Sequence, residues 1–305
     1  MRARLCSIPD GEAQVTDPKL LSFFIPARND AYMGDSTYRL ALTLNSLGRA
    51  FAEIAALDRV EILVCDWGSE RPLAAEPALA LSREARAIAR FISVPPAFAQ
   101  AHSGGSEFPE TLLRNVCIRR AAGRYLAATN ADILYTRALA QRLVDVLEAA
   151  EANPDGKPFV YCGRIHVPLA IVREQRTLDA LLQLVADARA VASYARDPIP
   201  SSLVGPIGDL LVLPEITWRE FRGYDERLIY WGWLDIDVAL RASRKHRPLD
   251  LAADGGQLFH LEHYGAVRTP TRKINEQVRN RFVVNKRDAD WGFAGVEFPV
   301  VGWNG

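Results

Sequence analysis

The chain has 305 residues, 49% hydrophobic and 24% charged. That is the composition of an ordinary soluble globular protein, with enough length for one large α/β domain or two small ones. Lys and Arg together number 37 and so do Asp and Glu, which leaves no basic field to mark a nucleic-acid partner. No apolar run approaches the ~18 residues of a membrane span, and "MRARLCSIPDGEAQ" lacks the apolar core of a signal peptide. Cys6, Cys65, Cys117 and Cys162 form no C-x-x-C pair, the pattern of reduced thiols in a cytosolic protein.

In chain order, "LLSFFIPARND" (Leu20–Asp30) reads as a buried first strand running into a polar loop. Leu40, Leu44, Leu47, Phe51 and Ile54 recur three or four apart, the spacing of an amphipathic helix. "VEILVCDWGS" is a second strand and "ARFISVP" a third. The loop "AHSGGSEFP" leads to a helix around Leu112 to Ala122, stopped by Gly123, and "RYLAATN" is the fourth strand. A long helix is expected over Arg137 to Ala152, ended by "NPDG". Beyond it, "VYCGRIHVP" reads as a strand, Thr177 to Ala195 as one helix, and "SSLVGPIGDLLVLP" as a turn and strand. Strands alternating with helices predict a mostly parallel sheet with right-handed crossovers.

Sheets of that kind take ligands beyond the carboxyl ends of their strands. Three predicted strand ends carry polar groups there: Arg28-Asn29-Asp30, Asp66, and Asn130-Ala131-Asp132. Asp132 has a plain role as a turn or helix cap. Its functional role is a carboxylate for a divalent cation, which needs few protein ligands when phosphate and water complete its shell. Asp66 caps the "WGS" turn or accepts hydrogen bonds from a base or ribose, with Trp67 alongside to pack on a flat ring.

In "WGWLDID", Trp231 and Trp233 flank Gly232, and Asp235 and Asp237 follow. Aromatic crowding raises a carboxylate's pKa and makes a useful general base. Asp237 has Arg241 at i+4, so a helix-surface ion pair is its plainer role; Asp235 has no such partner. "HLEH" sets His260 and His263 three apart, on opposite faces of a strand but convergent in a turn. Two close histidines with an acid elsewhere make a candidate metal set; His102 and His166 have no such company. Arg268, Arg272 and Lys273 read as a solvated basic loop or as a lid over a diphosphate.

The order of these segments resembles the GT-A glycosyltransferases, family 2 and the relatives that include β-1,4-galactosyltransferases and chondroitin-type polymerases. "IPARND" resembles their first nucleotide-binding strand, and "VCDWGS" their "VDDGS" strand end. "RNVCIRRAAGRYLAATNAD" resembles the run into the metal-binding D-x-D, and "FRGYDERLIYWGWLDIDVALR" the "FxGxDExxxGWGGEDxDxxxR" segment. The match covers most of residues 20–270.

The resemblance implies a single α/β domain of GT-A type, Rossmann-like, over residues 20–275. Its nucleotide-binding half would be 20–135 and its acceptor half 136–275, with residues 1–19 as an extension. Residues 276–305 would be a tail packed on the domain or on a partner. By position, Asn130 stands for the first acid of D-x-D and Asp132 for the second, with His260 and His263 as the late metal ligands for Mn²⁺ or Mg²⁺. Asp235 falls on the base of inverting members. Trp233 and Leu234 replace the Gly and Glu of their "GGED". Pro26, Arg28, Asn29, Asp66, Arg114, Asn130 and Ala131 fall on donor-nucleotide positions, and Trp231, Gly232, Trp233 and Asp237 on acceptor positions.

The expected protein is an inverting, metal-dependent glycosyltransferase. It would move a sugar from a nucleotide-diphosphate donor, with UDP-sugars foremost, to a glycan or glycolipid hydroxyl. It would be cytoplasmic, with at most peripheral membrane contact at the inner face, no nucleic-acid partner, and homo-oligomerisation left open. A nucleotidyltransferase is the rival enzyme, although "IPARND" lacks its Gly-rich basic phosphate loop. A non-catalytic sugar- or nucleotide-binding module of the same fold is the other alternative.

Overall fold

The structure, a computed structural model, describes residues 19–30, 34–153, 156–196, 207–263, 275 and 289–303. The basic segment with Arg268, Arg272 and Lys273 lies outside them, as does nearly all of the N-terminal extension.

The first half of the chain follows the expected alternation. In order come β1 (Lys19–Ala27), α1 (Ser36–Glu53), β2 (Val60–Trp67), α2 (Arg83–Ile88), β3 (Ala89–Val94), α3 (Pro96–His102), α4 (Glu110–Arg120), β4 (Gly123–Thr129), β5 (Ile133–Leu134) and α5 (Arg137–Ala152). β3, β2, β1 and β4 lie side by side and parallel. Every residue of β2 is buried, as a strand covered by helices on both faces must be. Alternate side chains of β1 enter opposite cores. Phe23 packs with Leu44, Phe51 and Leu143 of α1 and α5, and Phe24 with Leu113 of α4. α5 has the expected bounds because Thr136 caps it, its side chain accepting the Leu139 N–H.

The second half contains β6 (Phe159–Tyr161), β7 (Arg164–Val167), α6 (Leu169–Glu174), α7 (Leu178–Ala186), α8 (Ala188–Ala192), β8 (Leu210–Pro214), α9 (Glu215–Phe221), α10 (Leu234–Ala242), β9 (Pro248–Asp250), β10 (Leu258–Leu261) and β11 (Val300–Val301). The main sheet has eight strands in the order β11-β3-β2-β1-β4-β8-β6-β9, with β8 antiparallel to both neighbours. A small second sheet, β5-β10-β7, stands beside it.

Four local expectations are corrected here. "VYCGRIHVP" is not one strand: it breaks at Cys162-Gly163, and β6 and β7 join different sheets. The helix expected over Thr177 to Ala195 divides at Asp187, whose side chain caps α8 by accepting from the Arg189 and Ala190 N–H groups. Gly123 does not stop α4, which ends at Arg120; it begins β4, where a Cβ would collide with Ser22 of β1. A helix, α3, starts directly after Pro95, with Pro96 in its first turn.

The segment 289–303 packs on the domain. β11 pairs antiparallel with β3, and Trp291, Phe293 and Phe298 are buried. Trp67, expected to pack on a ligand ring, is buried against Phe293 instead. Among the described residues, no helix is long and apolar enough to cross a membrane.

Candidate functional site

Parallel pairing aligns the strand ends, with Ala27 opposite Asp66 and Asp66 opposite Ser93. β4 ends at Thr129, and Asn130-Ala131-Asp132 makes the turn into β5. The backbone of that turn is fixed by Leu261, whose N–H donates to the Asp132 carbonyl at 2.8 Å. This bond sets β10 against the acid. His263 Nε2 lies 3.1 Å and His260 Nε2 3.6 Å from Asp132 Oδ2. The chain leaves β10 after Leu261, and the following turn brings His263 back beside His260.

Ligand atoms of the three residues lie within 4.8 Å of one another. Burial pushes the Asp132 carboxyl up, but the hydrogen bonds and charges of His260 and His263 outweigh it and hold it well below the usual range. Burial pushes His260 down, and Asp132 more than reverses that. Asp132 Oδ1 is buried with no hydrogen-bond partner among the described residues. One carboxylate and two imidazoles, with an unsatisfied oxygen among them, fit a divalent cation.

His166, which the sequence left without company, is the cross-strand neighbour of His260 on β7. The two Nδ1 atoms are 3.2 Å apart, and Glu262 Oε1 is 3.9 Å from His166. Pairing of β7 with β10 spans 94 residues of sequence, and no local pattern announces it.

Asn130 sits between opposite charges. Its Oδ1 accepts from Arg114 at 2.6 Å, and its Nδ2 donates to Asp209 Oδ1 at 2.6 Å. Arg114 is fully buried and also bonds Glu110 at 2.6 and 2.8 Å. Asp209 is 1% exposed and accepts from Arg164 at 2.8 Å. An aspartate at position 130 would face the Asp209 carboxylate, which explains an amide there. The "GD" of "PIGDLL" reads as a turn, and nothing in its sequence marks Asp209.

Asp235 opens α10, and its Oδ1 accepts from Tyr224 Oη at 3.1 Å. The carboxylate lies over the Cα of Gly208, where any Cβ would overlap it. Burial raises its pKa to about 6; Arg114 and the Tyr224 hydrogen bond oppose the rise, while Glu110 and Asp209 add to it. Ahead of it, Gly232 and Trp233 both have left-handed backbone, φ 91° and 72°, a conformation that suits glycine and strains tryptophan. Asn275 holds this turn: its side chain accepts the Tyr230 N–H and donates to the Tyr230 and Gly232 carbonyls. Trp231 is 42% exposed.

Asp237 is buried. Its ion pair with Arg241, 2.8 Å, is buried rather than on a helix surface, and Arg241 in turn bonds the Gly223 carbonyl. The pair thus anchors α10 from inside, where a place on the helix surface was expected.

Of the residues expected at donor positions, Pro26 is buried in β1 opposite Cys65. Asn29 ties the β1 loop to the β2 loop, its N–H donating to Ser69 Oγ and its amide to the Arg71 carbonyl. Arg28 pairs with Asp30 at 2.5 Å. Asp66 is buried and accepts from the Ser69 hydroxyl and the Leu73 N–H, the turn-capping role. Burial lifts its pKa, and those two bonds partly offset the rise.

No protein-family model and no curated protein matches the chain. Among solved structures, S. aureus TarS 1-349 resembles it with a TM-score of 0.50 and 14% identity, over 79% of this chain and 60% of that one. The same fragment in complex with UDP-GlcNAc gives 0.49 at 12% identity, over 81% and 60%. The mannosyltransferase PcManGT from Pyrobaculum calidifontis, in complex with GDP-Man and Mn²⁺, gives 0.42 at 15% identity, over 84% and 61%. The chain spans about 60% of the length of the TarS fragment. Likeness at this identity speaks to fold, and together with the parallel sheet ending in an acid–histidine cluster it identifies the chain as a GT-A-fold protein.

Proposed function

We propose that this chain is an inverting glycosyltransferase that transfers a sugar from a nucleotide-diphosphate donor to a hydroxyl of a glycan or glycolipid. The observation that carries this reading is the juxtaposition around the end of β4. The acid–imidazole cluster of Asp132, His260 and His263 is joined through Asn130 and Asp209 to Gly208, against which the Asp235 carboxylate of α10 lies.

Asp132, His260 and His263 would hold the cation. Two imidazoles in the set favour Mn²⁺ over the oxygen-seeking Mg²⁺. A bound divalent ion supplies neutralisation of the charge that grows on the leaving diphosphate. The nucleotide would lie along Pro26, Arg28, Asn29 and Asp66, with Ala131 and Asn130 toward the diphosphate. Asp235 would take the proton of the acceptor hydroxyl as its oxygen bonds the anomeric carbon and the bond to diphosphate breaks on the opposite face. The configuration inverts and the proton remains on Asp235. With a pKa of about 6, Asp235 is mostly ionised at neutral pH yet still basic enough to act. Exposed Trp231, four residues ahead of that base in the chain, would offer a sugar an apolar face.

The test is a thermal-shift screen of UDP- and GDP-sugars with and without Mn²⁺, followed by sugar release from any ligand that binds. Metal-dependent stabilisation with slow release of free sugar is the expected result. Binding without release in any acceptor mixture would make the chain a binding module. No binding of any nucleotide sugar would end the reading.

A further inference from the structure

The resemblance leaves one position unexplained: the first acid of D-x-D is an amide, Asn130. The carboxylate that amide bonds comes from the segment just ahead of β8. Asp209 stands just ahead of β8, at 1% exposure, with Oδ1 2.6 Å from Asn130 Nδ2 and Oδ2 2.8 Å from Arg164. Its backbone is fixed as well, because Thr129 Oγ1 donates to the Asp209 carbonyl at 2.8 Å and Tyr135 Oη to Thr129 Oγ1 at 2.8 Å. The residue before it, Gly208, has the Asp235 carboxylate lying where a side chain would be. One dipeptide therefore touches the turn that carries Asp132 and the acid proposed as base.

We propose that Gly208-Asp209 is a positioning element: Asp209 stands in for the missing first acid by fixing Asn130 between itself and Arg114, and Gly208 seats the Asp235 carboxylate at a set distance from that turn. The proposal rests on reading Asp235 as the base. Neither residue touches substrate; Asp209 is too buried to do so. The charged and titratable groups facing Asp235 are Arg114 and Glu110 from α4, Tyr224 from the turn after α9, and Asp209 itself. Arg114 works against the other charges, and Asp209 is the one carried by the dipeptide. Neutralising it removes a negative charge beside the base and leaves Arg114, so Asp235 becomes the stronger acid.

The experiment uses the full chain labelled with ¹³C at aspartate side-chain carboxyls. The Asp235 signal is identified by its loss in Asp235→Asn. Its titration midpoint is read in the parent and in Asp209→Asn, which keeps the side-chain shape. The midpoint is expected to fall in Asp209→Asn; an unchanged midpoint overturns the coupling, whether or not the chain proves to be a transferase. Gly208→Ala is read by turnover. A misplaced base is expected to lower kcat about 100-fold with donor KM within about twofold, since a shift of ~1 Å at the reacting atoms has that effect. Unchanged kcat overturns the seating role. If the parent binds no nucleotide sugar and transfers nothing, the functional reading fails on its own, and the carboxyl titration still decides the link between Asp209 and Asp235.

Discussion

His166 and His260 stand directly opposite each other on neighbouring parallel strands, joined Nδ1 to Nδ1 at 3.2 Å. His260 has its other nitrogen on the Asp132 side, so the contact at Nδ1 holds the ring with Nε2 toward that carboxylate. Outer partners of this kind tune affinity without touching the ion. His166→Phe keeps the ring volume and removes the bond. Its expected effect is a Mn²⁺ affinity about 10- to 100-fold weaker by calorimetry, with the melting temperature of the metal-free protein shifted little. Unaltered affinity would mean that His166 merely packs.

Metal should also register as stability. A ligand bound only by the folded chain at 100 times its Kd adds about 2.7 kcal/mol. Mn²⁺ is therefore expected to raise the melting temperature of the parent and of Asp235→Asn alike. Asp132→Asn and His263→Ala should lose most of that increment, because each removes one of three ligands. A full increment in Asp132→Asn would place the ion elsewhere.

The first half of the fold was legible because its information is local. Fully buried strands such as "VEILVC", the three-to-four spacing from Leu40 to Phe51, and the Thr136 cap each act within one element. The grouping of Asp132, His260 and His263 was expected from residue chemistry, and the three converge where β10 ends at Leu261. The residues that surround them were not legible. His166, Asp209 and Asn275 acquire meaning only through pairings across 94, 79 and 45 residues, set by sheet order rather than by any pattern within a segment. Trp67 misled for the same reason: its partner, Phe293, arrives from the far end of the chain. Asp237 was read in the right bond with Arg241 but on the wrong side of the surface, since i+4 spacing says nothing about burial.

Asn275 offers a separate handle on the Trp231 turn. Three hydrogen bonds from one buried side chain hold Tyr230 and Gly232, each worth about 0.5–1.5 kcal/mol. Asn275→Ala should loosen the turn that displays Trp231 while leaving the Asp132 cluster intact. The expected phenotype is an acceptor KM raised several-fold, with nucleotide-sugar affinity and metal increment unchanged. A matching loss of donor affinity would show that the turn serves the nucleotide side instead.

The raised pKa of Asp235 makes two predictions that pull in opposite directions. As base it must be ionised, so transfer should fall as pH drops through about 6, the value burial gives it. Asp235→Asn should abolish that limb and lower kcat by about 10²–10⁴, with metal-dependent nucleotide binding retained. For stability the sign is reversed. An acid whose folded pKa lies above its unfolded value, about 3.9, binds a proton more readily when folded. This group therefore favours the folded state at low pH. That advantage is lost as pH rises from about 4 to about 6, and above it the buried charge is a standing cost. Asp235→Asn removes the cost and should raise stability at pH 7 by about 3 kcal/mol, the distance from about 3.9 to about 6 at ~1.4 kcal/mol per pKa unit, while at pH 4 the gain should nearly vanish. Denaturant melts at the two pH values measure the difference. A variant no more stable than the parent at pH 7 would mean that Arg114 and Tyr224 already compensate the charge in full, and the acidic limb of the rate profile should then lie near pH 4.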